Sequence, residues 1–206
     1  MNAIQEIIKR LFLSGTISVA ALIAGTSSVA AAVTRCEGSL VAGTYETVLV
    51  PKGKTCDVVG EVTVEQNVIL QEGASLTNEC NTFTVNGNFQ GHGVKSVIME
   101  GPSVSIHGNV SITGATGHVF LDDVSIGGNL NISDANGIDI IVLNSVIGGN
   151  ALFQDNTLTD FLRFIIGGNT IAGNLVCGGN VTTPGTGGGG MTNTVGGKKI
   201  GQCSAL

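Results

Sequence analysis

Tryptophan is absent from the 206 residues, tyrosine occurs once, proline three times, and charged residues make up only 12 %. Each scarcity excludes something. A disordered chain needs high charge and low hydropathy, and this chain has the opposite balance. With 32 glycines against 3 prolines, glycine is spread through structured sequence rather than gathered into a Pro/Gly linker. Beyond residue 32 the basic residues are Arg35, Lys52, Lys54, Lys95, Arg163, Lys198 and Lys199, and they are scattered. Nucleic-acid binding needs a basic stripe, and single strands also want aromatic stacking platforms, so that partner is excluded. Only three histidines occur, with no Cys-x-x-Cys, which gives a structural zinc site little support. Thr182–Gly190 is glycine-rich but lacks the Gly-Lys-Ser/Thr ending of a phosphate loop, and is expected to be a flexible loop.

What is present first is an export signal. Lys9 and Arg10 form a basic flank, Leu11–Ala24 is an uncharged run of 14 residues, and Ala30-Ala31-Ala32 offers a small-residue cleavage pattern. The run is short for a membrane-spanning helix, which takes about 20 apolar residues. Val33-Thr34-Arg35 before Cys36 is the wrong context for lipid attachment, and no later apolar run approaches a span. The mature chain is therefore expected outside the cytoplasm, extracellular or periplasmic, with no membrane span. Removing Lys9, Arg10 and Glu6 with the signal takes the formal charge from −6 to −7. By length the remainder is one domain. It divides into a signal (1–32), an N-terminal cap and first coil (33–60), coils (61–180), and a Gly-rich loop with a C-terminal cap (181–206).

The decisive feature is a repeat. An aliphatic residue, any residue, Gly and Asn recur from Val85, Ile106, Ile126, Ile147 and Ile171, with first steps of 21, 20 and 21 residues. An extra copy starts at Ile166, weaker echoes lie at Val41 and Val58, and Val195-Gly196-Gly197 closes the series. Self-similarity at this period marks a solenoid. Val110 and Ile112, Leu130 and Ile132, and Leu175 and Cys177 follow the anchors at equal offsets. Val119, Leu121 and Val124 precede Ile126 as Ile140, Val142 and Ser145 precede Ile147, and as Thr159, Phe161 and Phe164 precede Ile166. Apolar residues thus alternate with period two, mostly β-branched or aromatic, and helical spacing is missing. The fold expected is all-β, a single-domain right-handed parallel β-helix with coils of ~20 residues, and about 6.6 coils between residues 44 and 180. Ile106, Ile126 and Ile147 should form an internal column. Asn88, Asn109, Asn129 and Asn150 should form a hydrogen-bonded ladder, with the preceding glycine permitting a bend at positive φ. The Asn-x-Ser/Thr triplets at Asn109, Asn131 and Asn180 match glycosylation acceptors, but repeats generate such triplets by accident.

These coils resemble those of a diffuse set of secreted bacterial parallel β-helix proteins. The similarity is strongest at the ends: Cys36-Glu37-Gly38 with Val50-Pro51 and Cys56, then Ile171-Ala172-Gly173-Asn174-Leu175-Val176-Cys177 with Asn193-Thr194-Val195-Gly196-Gly197-Lys198 and Gly201-Gln202-Cys203. The resemblance covers about residues 36–203 and implies fold and export; it brings no catalytic residues, since none are established for the group. Five mature cysteines allow 15 patterns with two bridges. The resemblance, with the positions, favours Cys36–Cys56 and Cys177–Cys203, one staple at each end. Cys80 is then a buried or idle thiol, because no histidine lies at an equivalent offset.

Function is the least legible. Asp134 and Asp155 lie eight residues after their anchors, should stack at a bend near Asn136 and Asn156, and are weak calcium candidates. Two carboxylates do not complete a shell of six to eight oxygens, and Asp is a common turn residue, so no metal or other cofactor is expected. Asp122-Asp123 points to opposite faces of a strand. His92, His107 and His118 share no offset and read as separate surface or bend residues. No long loop builds a groove, and Arg163 is the only arginine in the coils, so no catalytic residue is assigned and an enzyme is not expected. The leading expectation is a non-catalytic structural or interaction protein whose partner is a cell-envelope component or a glycan. The alternatives are a polysaccharide-binding or lyase-like module and a self-assembling filament.

Overall fold

The computed structural model describes residues 32–159, 163–187 and 190–206. The expected signal peptide and the offset residue Phe161 lie outside them, as do parts of the Gly-rich loop. Among the described residues there is no helix, and every strand pairing is parallel. One sheet of nine strands takes one strand from each successive coil: Val33–Arg35, Thr47–Val50, Val68–Leu70, Phe89–His92, Val110–Thr113, Leu130–Ser133, Ala151–Gln154, Leu175–Gly178 and Lys199–Gly201. A second sheet of eleven strands runs beside it from Ser39–Tyr45 to Thr194–Val195. The result is a parallel β-helix of about eight turns.

The stack is longer than the span from 44 to 180 expected from the motif. Coils at both ends keep the register after the motif has decayed: Thr34 pairs with Val48, and Leu175 pairs with Lys199. Backbone pairing and inward alternation suffice there, without Gly-Asn. The Gly-rich segment is also drawn in, since Ile165 and Gly185 form a parallel bridge.

The internal columns follow the alternation. Ile126 stands between Ile106 and Ile147, all at most 1 % exposed, and Ile147 continues to Ile171. At the N-terminal end the same column begins with Tyr45, Val64 and Val85, so the echoes at Val41 and Val58 are not anchors. Burying each such aliphatic side chain contributes roughly 1.5–3 kcal/mol. Phe153 and Phe164 meet edge to face inside, with centroids 5.9 Å apart.

Two sequence expectations need correction. The copy at Ile166 is not an anchor. Ile166 pairs with Val142 and Phe164 with Ile140, so the true anchor of that coil is Ile171, five residues on. Nor do the glycines before Asn88, Asn109, Asn129, Asn150 and Asn174 take a positive φ, although Gly168 and Gly179, before Asn169 and Asn180, do. Left-handed conformations also recur at Gly73, Gly93, Gly114, Asp134 and Asp155, with φ between 54° and 70°. Gly128 is required instead by close approach: a Cβ there would lie 2.6 Å from Asn109 Oδ1 and 2.8 Å from the Gly108 carbonyl oxygen.

Three rows of polar side chains tie the coils together. The outer row, expected for four asparagines, holds six: Asn67, Asn88, Asn109, Asn129, Asn150 and Asn174. Each Oδ1 but the last accepts both the backbone N–H and the Nδ2–H of the next asparagine at 2.8–3.3 Å. The Lys198 N–H ends the row on Asn174 Oδ1 at 2.9 Å. Two further rows are buried. In one, the N–H and Nδ2–H of Asn156 donate to Asn180 Oδ1, and those of Asn180 donate to Gln202 Oε1. In the other, the Ser145 N–H donates to Asn169 Oδ1, and the N–H and Nδ2–H of Asn169 donate to Asn193 Oδ1. A buried amide must satisfy all its groups, and these do so by also donating to carbonyls of the preceding coil, such as Ile132 and Val142.

A disulfide lies near each end. Disulfides join Cys36 to Cys56 and Cys177 to Cys203, across 20 and 26 residues. Loop-closure entropy assigns each roughly 3 kcal/mol. The Tyr45 hydroxyl donates to the Val41 carbonyl across the first coil, and Cys203 and Leu206 are buried at the last.

Candidate functional site

Asp139 is charged yet only 2 % exposed, on a strand face that points away from the internal columns. Two side chains cover it. His118 Nδ1 lies 3.1 and 3.0 Å from its two carboxylate oxygens, and Arg163 Nε lies 3.4 Å from Oδ2. The three residues come from successive coils, where strand register stacks His118 on Asp139 and Arg163 follows on the next coil. The His118 and Arg163 side chains are 42 % and 49 % exposed, so both reach solvent. A carboxylate on Nδ1 orients an imidazole and leaves Nε2 outward, which is the geometry of an oriented base. Ser96 stacks on the other side of His118, but its hydroxyl donates to the His118 backbone carbonyl at 3.1 Å rather than to the ring. The cluster thus holds an orienter and an imidazole, with no hydroxyl bonded to that ring.

By sequence His118 reads as an isolated surface or bend residue, and Asp139 is not singled out. The signal was available: His118, Asp139 and Arg163 each lie eight residues before an anchor, Ile126, Ile147 and Ile171. Anchoring the last coil on Ile166 hid the third member.

The calcium candidates fare differently. Asp134 and Asp155 do stack, each one residue beyond the paired Ser133 and Gln154, and both take the left-handed turn conformation with φ of 54°. The same place on neighbouring coils holds Gly93, Gly114 and Gly179, all left-handed, which identifies the local demand as backbone conformation. Of the asparagines beside them, Asn156 is fully buried in its row and Asn136 is exposed. Among the described residues no group of three or more His, Cys, Asp or Glu could hold a metal ion. Of the glycosylation triplets, Asn109 belongs to the outer row and Asn180 is buried in an inner one. Cys80, expected buried or idle, is an exposed free thiol in a left-handed conformation.

The outer face of the nine-stranded sheet carries a concavity. A hollow of about 410 Å³ is lined by Lys52, Ile69, Leu70, Gln71, Glu72 and His92. It adjoins a second of about 280 Å³ that extends over Gln90, Gly91, Ser111 and Thr113. Ile69, Gln90 and Ser111 are register partners pointing outward on three successive coils, and His92 pairs with Thr113. Gly91 holds the inward position between Leu70 and Ile112 without a side chain, and Val94 fills the space. At the rim, Lys52 Nζ meets Glu72 Oε2 at 2.7 Å. The hydrogen bond and charge of Lys52 hold the Glu72 carboxyl below its usual range; burial opposes this weakly, and the charge of His92 adds to it.

The chain matches no known family model, no curated protein and no solved structure. Its chemistry has to be read from its own residues.

Proposed function

We propose that the chain is an exported, non-catalytic structural or interaction protein of the extracellular space or cell envelope. Two disulfides suit an oxidising compartment, and the N-terminal sequence pattern agrees with export. The observation that carries the reading is how the repeated polar side chains are used. The asparagine rows spend their amides on coil-to-coil hydrogen bonds, which makes a rigid rod and leaves the repeated positions no chemistry to perform. End-to-end filament growth is the weaker alternative, because Tyr45, the staples and Leu206 occupy the two ends. A polysaccharide-binding role is favoured over it by the hollow on the nine-stranded sheet.

The test is to incubate purified protein with isolated envelope material. Co-sedimentation without release of reducing ends or unsaturated sugars is the expected outcome. Sugar release that disappears in Asp139→Asn would refute the non-catalytic reading and make His118 its base.

A further inference from the structure

We infer that the hollow over Ile69 and His92 is a binding site for an uncharged oligosaccharide, an inference that rests on the interaction reading above. The lining is the first reason. Gln71, Gln90, Ser111, Thr113 and His92 supply amides, hydroxyls and an imidazole, groups that both donate and accept hydrogen bonds. A sugar hydroxyl also does both, so lining and ligand can satisfy each other without a net charge on either. Ile69, 37 % exposed in the middle, gives the C–H face of a sugar ring an apolar surface.

Charge is the second reason. The only ionised pair at the rim is Lys52 with Glu72, and the two cancel across 2.7 Å. A polyanion would meet a chain whose formal charge is −6, and the one lysine that lines the hollow is already paired with a carboxylate. Protein partners anchor on buried aromatic or arginine side chains, and this surface offers one isoleucine.

Shape is the third. A volume of about 410 Å³ lies within the range of small-ligand sites. The adjoining hollow prolongs it, so that the lining comes from four successive coils, about 14 Å along the axis, which suits a chain better than a single ring. The site is partly preorganised: Gln71 Oε1 accepts the Lys52 N–H at 3.1 Å, which fixes that amide before any ligand arrives.

Affinity electrophoresis through soluble xylan, laminarin or dextran tests this, with polygalacturonate as the anionic counterpart. Wild-type protein should be retarded by at least one neutral polymer and not by polygalacturonate. Gln90→Ala and His92→Ala should each weaken that retardation about five- to tenfold, the loss of one or two hydrogen bonds. Ser125→Ala, on the other sheet, should leave it unchanged, and all three variants should melt as wild type does. No retardation by any neutral polymer, equal retardation by polygalacturonate, or full retardation of both site variants would overturn the inference. Envelope co-sedimentation that persists in Gln90→Ala and His92→Ala would remove the sugar site while leaving the interaction reading intact.

Discussion

Asn156 offers the sharpest test of what holds the coils together. It is fully buried; its Oδ1 accepts the Ala135 N–H at 3.0 Å, and its Nδ2 donates to the Ile132 carbonyl at 3.1 Å and to Asn180 Oδ1 at 2.9 Å. Asn156→Ala strands the Ala135 N–H where water does not reach, and takes one donor from the Ile132 carbonyl, whose residue stays paired with Phe153 in the sheet. Asn180 Oδ1 keeps one donor, the Asn156 backbone N–H at 3.1 Å. At roughly 1–3 kcal/mol for the stranded N–H and about 1 kcal/mol for each of the two other lost bonds, the loss should be about 3–5 kcal/mol. Asn129→Ala removes three similar bonds from the outer row, but its site is exposed and water replaces them, so about 1 kcal/mol is expected. For a domain of this size each kcal/mol moves the melting point by roughly 2–4 °C. The inner variant should therefore melt well below the outer one, with urea midpoints in the same order. Asn156→Asp adds a control of sign. Its carboxylate can still accept from Ala135, but it faces the Ile132 carbonyl and Asn180 Oδ1 with no proton to donate. Burial raises the pKa of such a group, so this variant should be worst at neutral pH and recover as pH falls and it protonates. Equal losses from Asn129→Ala and Asn156→Ala would refute the reasoning, since both rows would then count as surface decoration.

Further expectations concern register, thiols and charge. Ile126→Asp buries an unpaired carboxylate between Ile106 and Ile147 and should cost several kcal/mol, while the outward Ser125→Asp should change stability by about half a kcal/mol or less; equal thermal melts would remove the register. Native alkylation followed by peptide mapping without reduction should label Cys80 alone and find the two bridges intact, and labelling that needs denaturant would contradict its exposed position. The depressed Glu72 carboxyl contributes stability above its unfolded pKa, and that contribution is lost as pH falls through the lower folded value. Glu72→Gln should accordingly differ from wild type slightly at pH 7 and not at pH 2, and a gap that widens in acid would reverse the sign.

The fold was legible because one inward column repeats at a nearly constant step, and a stack forces equal offsets to equal places. Legibility failed where the step changed. From Ile147 to Ile171 the spacing is 24 residues, and the Gly-Gly-Asn after Ile166 imitates the motif in the wrong register. Its asparagine, Asn169, continues the column of Val124 and Ser145 inside the stack. The same slip concealed Arg163 from His118 and Asp139. The hollow was illegible for another reason. Outward positions such as Ile69, Gln90 and Ser111 bear no common constraint, so nothing in their identities announces that they are neighbours.

The amide rows also have direction. In the outer row every Oδ1 points toward the later coil, since the later asparagine donates. In both inner rows the earlier residue donates, so the amides are aligned the opposite way. Aligned amides add their dipoles as the peptide units of a helix do. From Ser145 onward the opposed rows offset one another along the axis. From Asn67 to Asn129 the described residues hold the outer row alone, and its polarity is uncancelled there. The rod is therefore electrically lopsided along its length, polar over its earlier coils and balanced over its later ones, where the outer row ends on the Lys198 N–H.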